Sequence, residues 1–154
     1  DNAALLHELT GYLKAVGQPA FSQAQLNGLL KSLDFTKNAV KSFSELIEKN
    51  RFILQERPIC LDPDIEGRIE DLPLNVLKIL TPQLQNVRWD RNYLEELLNL
   101  VCEQIELKFR DVAPILRAAL AGSPKTPSVF DMMIVLGRVE TIERLIEFED
   151  TYKN

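Results

Sequence analysis

The chain has 154 residues, of which 45% are hydrophobic and 27% charged, and carries a net charge of −5. This is the composition of an ordinary globular protein, long enough to bury its own core. The acidic balance excludes a protein that coats nucleic acid without discrimination, and no apolar run nears the roughly 20 residues needed to cross a bilayer. No membrane contact is expected.

The start, Asp1 to Leu13, is amphipathic and acidic, so it does not have the make-up of a secretory signal. The chain lacks an initiator methionine, as a piece of a longer protein would. Leu5, Leu6, Leu9, Leu13 and Val16 form a helical stripe that stops at Gly17, with Pro19 beyond it. Ser22 and Gln25 make a capping-box pattern that opens a second helix through Leu29, Leu30 and Leu33. A third helix is expected from about Thr36 to Asn50, with Val40, Phe43, Leu46 and Ile47 on one face. Glu56 to Asp71 holds Pro58, Pro63 and Gly67 and lacks periodicity, so it reads as a connector.

The second half restarts with Pro73 just inside a helix, where the ring is tolerated. Leu74, Leu77, Leu80 and Leu84 follow at helical spacing, and Pro82 should kink or end the run. Asp90 is placed to cap the next helix, whose apolar face is Leu94, Leu97, Leu98, Val101 and Ile105. Another stripe runs through Val112, Ile115, Leu116, Ala119 and Leu120 up to Gly122, where a helix end wants a left-handed residue. Arg117 lies off that stripe. Ser123-Pro124-Lys125-Thr126-Pro127 cannot be helical, because each proline forces its predecessor extended. Ser128 can cap the following apolar helix, with Asp131 three residues on. Gly137 is a second stop, and a last helix follows. With no stretch of period two, the fold class is all-α: two tandem helical subdomains, residues 1–71 and 72–154.

Chemistry of the catalytic kind is hard to find. His7 is the only histidine, and Cys60 and Cys102 lie too far apart for a metal-ligand pair. They read as reduced thiols in a cytoplasmic protein. There is no phosphate-binding glycine loop and no zinc-protease motif. No catalytic residue, metal site or cofactor site is expected here. From Leu107 to Arg144 six cations face four anions, a net +2 that leaves −7 for the remainder. Such a basic face on an acidic body suits local, shaped recognition of RNA. Trp89, Phe130 and Phe148 sit among aliphatic residues at helical spacing and read as core rather than as stacking platforms.

Arg117-Ala118-Ala119-Leu120-Ala121-Gly122, then Thr126-Pro127-Ser128-Val129-Phe130, then Leu136-Gly137-Arg138 and Glu143-Arg144-Leu145, resembles the C-terminal end of bacterial-type glutamyl-tRNA synthetase. The likeness is specific from Val112 to Leu145 and extends more faintly upstream to about Phe43, by way of Trp89 and Arg57-Pro58. The resemblance implies an anticodon-binding helical region of an ATP-dependent glutamate–tRNA ligase. The class I synthetase signatures are absent, so ATP and Mg²⁺ would belong to a catalytic domain outside this fragment. Glutamate tRNA would be the partner, and the protein would act as a monomer. By the family pattern Arg117 would contact the anticodon. Thr126, Pro127 and Val129 would form a ledge for splayed bases, and Lys125 is a candidate phosphate contact.

One departure carries information. Many family members have an arginine in the third helix that reads the third anticodon base, and Ser42-Phe43-Ser44-Glu45-Leu46 aligns so as to put Ala39 in its place. A two-residue shift would bring Lys37 there instead. Alanine makes no hydrogen bonds, so the expectation at Ala39 is relaxed discrimination, with glutamine tRNA accepted beside glutamate tRNA. Without the family likeness, composition and periodicity would equally fit a non-catalytic all-α adaptor whose grooves bind a partner helix.

Overall fold

The computed structural model of the chain describes residues 1–17, 21–36 and 41–152; for Phe35 only the backbone is described. Among these residues the regular structure is helical throughout. Helix α1, Asn2–Ala15, is capped by the Asp1 carboxylate, which accepts from the Ala3 N–H at 2.9 Å. It ends at Gly17 in the left-handed region, φ 78°, as its spacing predicts. Helix α2, Gln23–Thr36, opens on the expected reciprocal cap. The Gln25 N–H donates to Ser22 Oγ at 3.2 Å, and the Ser22 N–H donates to Gln25 Oε1 at 2.9 Å.

The expected third helix divides differently. Helix α2 keeps its hydrogen bonding as far as Thr36, and α3 covers only Phe43–Lys49. A fresh N-terminus forms at Ser42, whose hydroxyl accepts from the Glu45 N–H at 3.2 Å. The Glu45 carboxylate reaches back to the Lys41 N–H at 2.6 Å. Two orphan donors are satisfied there, so a new helix starts rather than the old one continuing. Val40 lies outside the described residues.

Asn50 ends α3 and pins it to α2. Its Nδ2 donates to the Leu46 carbonyl at 2.8 Å and to Thr36 Oγ1 at 3.2 Å, while its Oδ1 accepts from Ser32. All three polar residues are buried, and the mutual bonds offset their desolvation. Around them Leu9, Leu33 and Leu46 form a small cluster, with Leu5, Leu6, Phe21 and Phe43 packed against it.

After a short turn, α4 (Arg51–Leu54), the connector contains one more helical turn, α5 (Pro63–Glu66), and a 3₁₀ turn, Ile69–Asp71. Pro73 proves to lie before the next helix, not within it. Helix α6, Asn75–Leu84, starts two residues later, after the Val76 N–H bonds the Pro73 carbonyl at 3.1 Å. Pro82 sits inside its last turn, two residues before the end, where few hydrogen bonds remain to be lost. Asp90 caps α7, Arg91–Gln104, accepting from the Asn92 N–H at 3.0 Å.

Helix α8, Phe109–Ala121, ends in left-handed Gly122, and α9, Val129–Tyr152, is broken at Gly137. At the break φ is 82° and ψ 169°, so the second glycine stop is real. Leu77, Leu80, Leu94, Leu98, Ile115 and Leu116 meet Met132, Met133 and Leu145 in the larger cluster. Phe52 belongs to that cluster too, and Ile53, Leu61, Ile65 and Ile69 pack against it.

Candidate functional site

The segment after α8 is built around Gly122. At φ +70° its backbone is one that side chains rarely adopt, and a Cβ there would stand 2.1 Å from the Cys60 carbonyl oxygen. The close approach is a bonded one. Asp62 donates its N–H to the Gly122 carbonyl at 2.7 Å, and Gln55 Nε2 donates to the Ala121 carbonyl at 3.2 Å. Gln55 and the connector thereby satisfy carbonyls that the end of α8 leaves open.

Beyond Gly122 the Ser123 hydroxyl is buried and accepts from the Lys125 N–H at 3.1 Å, which folds the tip back on itself. Ser128 then caps α9, accepting from the Asp131 N–H at 3.1 Å. The Asp131 carboxylate does not complete a capping box; it pairs with Arg91 instead.

The structure brings Arg117 and Thr126 together. Arg117 Nε donates to Thr126 Oγ1 at 3.1 Å, and that hydroxyl donates to the Pro127 carbonyl at 2.8 Å. The two terminal guanidinium nitrogens have no partner among the described residues. Arg117 is half-buried, and the burial lowers its pKa from the ordinary guanidinium value without discharging it. Here is a cation partly stripped of water, held by one nitrogen, with its planar fork unspent. Such a group binds a carbonyl edge or a phosphate more strongly than one fully solvated.

Arg117 lines a cavity of about 290 Å³. Its apolar walls are Ile65, Leu72, Pro114 and Pro124, and Asp64 and Arg68 complete the charged lining. No motif or period marks the connector residues in the sequence. They are brought to the loop by the Asp62–Gly122 backbone bond, which links positions far apart in sequence.

The other sequence candidates are distributed unevenly. Lys125 is exposed at the tip, and Thr126 is half-buried. Pro127 is buried, and Val129 is 1% exposed within the large cluster. The family likeness implies that both belong to a ledge for splayed bases; here the return of the chain into α9 turns them inward, with Val129 packed in the large cluster. Ala39, and Lys37 with it, lies outside the described residues. Trp89 and Phe130 are half-buried against the large cluster, and Phe148 is 6% exposed within it. Trp89 Nε1 donates to the Met133 carbonyl at 2.9 Å, which gives the indole a structural place.

The basic face is narrower than the sequence indicates. Arg144 is 4% exposed and gives its guanidinium to the protein interior. Arg138 donates to the Leu84 carbonyl at 2.6 Å and lies over the Trp89 ring, 5.1 Å from its centroid. Lys108, Arg110 and Lys125 remain exposed, beside half-buried Arg117. Among the described residues no group of three metal-ligating side chains occurs, both cysteines are free, and no helix is long and apolar enough to cross a membrane.

A second cavity, of about 700 Å³, lies between α2, α4 and α9. Arg57 and Arg144 line it, but both are engaged with acids of α9: Arg57 with Glu140 at 3.3 Å and Glu143 at 3.1 Å, Arg144 with Glu140 at 2.8 Å. Glu56 and Glu147 add negative charge to its lining. An RNA phosphate would be repelled there.

The chain is similar to named proteins along almost its whole length. It is 48% identical over 145 residues to glutamate–tRNA ligase 2 of Ruegeria pomeroyi, covering 94% of this chain and 31% of that protein. It is 44% identical over 147 residues to glutamate–tRNA ligase 1 of a Jannaschia species, covering 96% of this chain and 31% of that one. The chain thus spans about a third of the length of the curated relatives it matches. Its fold is that of part of a glutamate tRNA ligase from Elizabethkingia meningosepticum, with a TM-score of 0.75 at 23% identity. That superposition covers 99% of this chain and 30% of the other. The anticodon binding domain family matches residues 3–148, and the chain belongs to that family.

Proposed function

We propose that this chain is the anticodon-reading region of a glutamate–tRNA ligase, which joins glutamate to its tRNA at the expense of ATP. The joining chemistry, with its ATP and Mg²⁺, belongs to a catalytic part of the enzyme outside these residues. This region selects and positions the tRNA. The observation that carries the proposal is the Arg117 guanidinium, anchored by Nε on Thr126 and unspent at both terminal nitrogens, on the wall of a cavity with apolar sides. Unstacked RNA bases require such a combination of flat apolar surface and fixed donors. Support also comes from the likeness to named glutamate–tRNA ligases over most of the chain. Lys125 contributes a phosphate contact at the tip, and the protein works as a cytoplasmic monomer. Ala39 makes the enzyme tolerant of glutamine tRNA, because it offers no hydrogen bond to the third anticodon base.

Binding of a fluorescent anticodon stem-loop, followed by anisotropy, tests the proposal. Arg117→Ala should weaken the complex by about 1–3 kcal/mol, the worth of a bidentate contact. Lys125→Ala should lower the slope of affinity against salt by about one. A helix-binding adaptor would show no binding at all, and no effect of either change. Tolerance of glutamine tRNA is checked by charging purified glutamate and glutamine tRNAs with the full-length enzyme; strict preference for the former removes it.

A further inference from the structure

The cavity beside Arg117 holds charges of both signs that do not neutralise each other. Asp64 and Arg68 line it with Arg117, and neither Asp64 nor Arg68 makes a side-chain hydrogen bond or ion pair among the described residues. Elsewhere on the same connector the opposite holds: Asp62 is paired with Arg51 at 2.8 Å. The place of Asp64 is set by backbone. It stands in the first turn of α5, directly after Pro63, and Asp62 just before is bonded through its N–H to the Gly122 carbonyl at 2.7 Å. An unpaired carboxylate is therefore tied to the same glycine that starts the loop carrying Thr126.

We propose that Asp64 reads the pairing edge of one unstacked anticodon base seated in this cavity, and that with Arg117 it favours cytosine over uracil there. The proposal rests on the anticodon-binding function above. Ile65, Leu72, Pro114 and Pro124 offer apolar surface to the flat faces of a base. A carboxylate can only accept and a guanidinium can only donate. Cytosine meets that pair with its N4 amino group toward the carboxylate and its N3 and O2 acceptors toward the guanidinium fork. Uracil presents the O4 carbonyl to Asp64 and the N3–H to Arg117, two mismatches on one edge. Arg68 neutralises the phosphate flanking the seated base.

The test uses the chain as it stands, titrated with anticodon stem-loops in which each of the three anticodon bases is in turn cytosine or uracil. At one of these positions the unaltered protein should bind the cytosine form at least about tenfold more tightly. Asp64→Asn, whose amide both donates and accepts, should shrink that ratio to within about threefold, mainly by weakening the cytosine form. Asp64 is exposed, so the variant should keep the circular dichroism and melting of the parent. Two results overturn the inference while leaving anticodon binding intact: equal affinity for cytosine and uracil at all three positions, or an unchanged ratio in Asp64→Asn while Arg117→Ala loses binding. Failure of the unaltered protein to bind any stem-loop overturns both.

Discussion

Arg144 is the strongest single test of how the fold is held. Its side chain is 3% exposed and each of its three nitrogens is engaged. Nη1 donates to the Phe52 carbonyl at 2.7 Å and the Leu120 carbonyl at 2.6 Å, Nη2 donates to the Gln55 carbonyl at 2.9 Å, and Nε pairs with Glu140 at 2.8 Å. The three carbonyls close the C-terminal ends of α4 and α8, which no backbone donor satisfies. Arg144→Ala removes three charge-assisted bonds worth about 1.5 kcal/mol or more each and leaves the carbonyls without a protein donor. The Glu140 pair adds at most about 1 kcal/mol, since that carboxylate is 32% exposed. Some carbonyls will gain water in the space left behind, so the expected loss is about 3–5 kcal/mol of unfolding free energy. For a chain of this length that lowers Tm on the order of 10 °C. Arg144→Lys should recover only a minor part, because one ammonium cannot span three carbonyls. Urea unfolding followed by circular dichroism gives the number. A loss below about 1 kcal/mol for the alanine variant would mean that water replaces the lost bonds in full and that Arg144 is not what joins these helices.

Gly122→Ala should cost about 2–4 kcal/mol, combining the left-handed backbone with displacement of Cys60 and weakening of the Asp62 bond. It should also weaken stem-loop binding as the cavity opens; a stable variant with unaltered binding would show that the connector does not set the site. The thiols should separate by position. Burial first, then the charge of Asp111, raises the Cys102 pKa, while Cys60 is exposed. One thiol should react promptly with a disulfide reagent at pH 8 and the second only on unfolding, a pattern that two fast thiols would contradict. The sign for stability follows. A native thiol held above its unfolded pKa keeps a proton that the unfolded chain releases, so stability should decline as pH climbs past the ordinary thiol range. Tyr152, raised chiefly by burial, should extend the decline to higher pH. A Tm that stays level through that range would argue against both.

What the sequence made legible is what local chemistry determines. The stripes of Leu5 to Val16 and of Val112 to Leu120 became helices, Ser22 with Gln25 became a reciprocal cap, and Gly17, Gly122 and Gly137 became stops. The third helix was misplaced because apolar residues recur at helical spacing right through a new cap at Ser42. The meeting of Arg117 with Thr126 could be anticipated because the loop between them is short and stiff. The inward turn of Pro127 and Val129 could not, because a residue at a helix start faces whichever side the next element takes. Arg144 looked like one more surface cation on a basic face. Its partners are carbonyls of Phe52, Gln55 and Leu120, and no pattern of side chains announces a carbonyl. Asp64 and Arg68 were hidden for the same reason, since a bond between two main chains brought them to the loop.

The joint between Asp62 and Gly122 has a practical corollary for anyone exchanging parts between members of this family. The loop of residues 123–128 is not a detachable cassette. Its root is stitched to the stretch around Cys60, which leaves no room for so much as a methyl group at Gly122. A transplant of the loop alone would arrive without its matching seam, whereas one that carries residues 59–62 along would keep the two strands of chain in register.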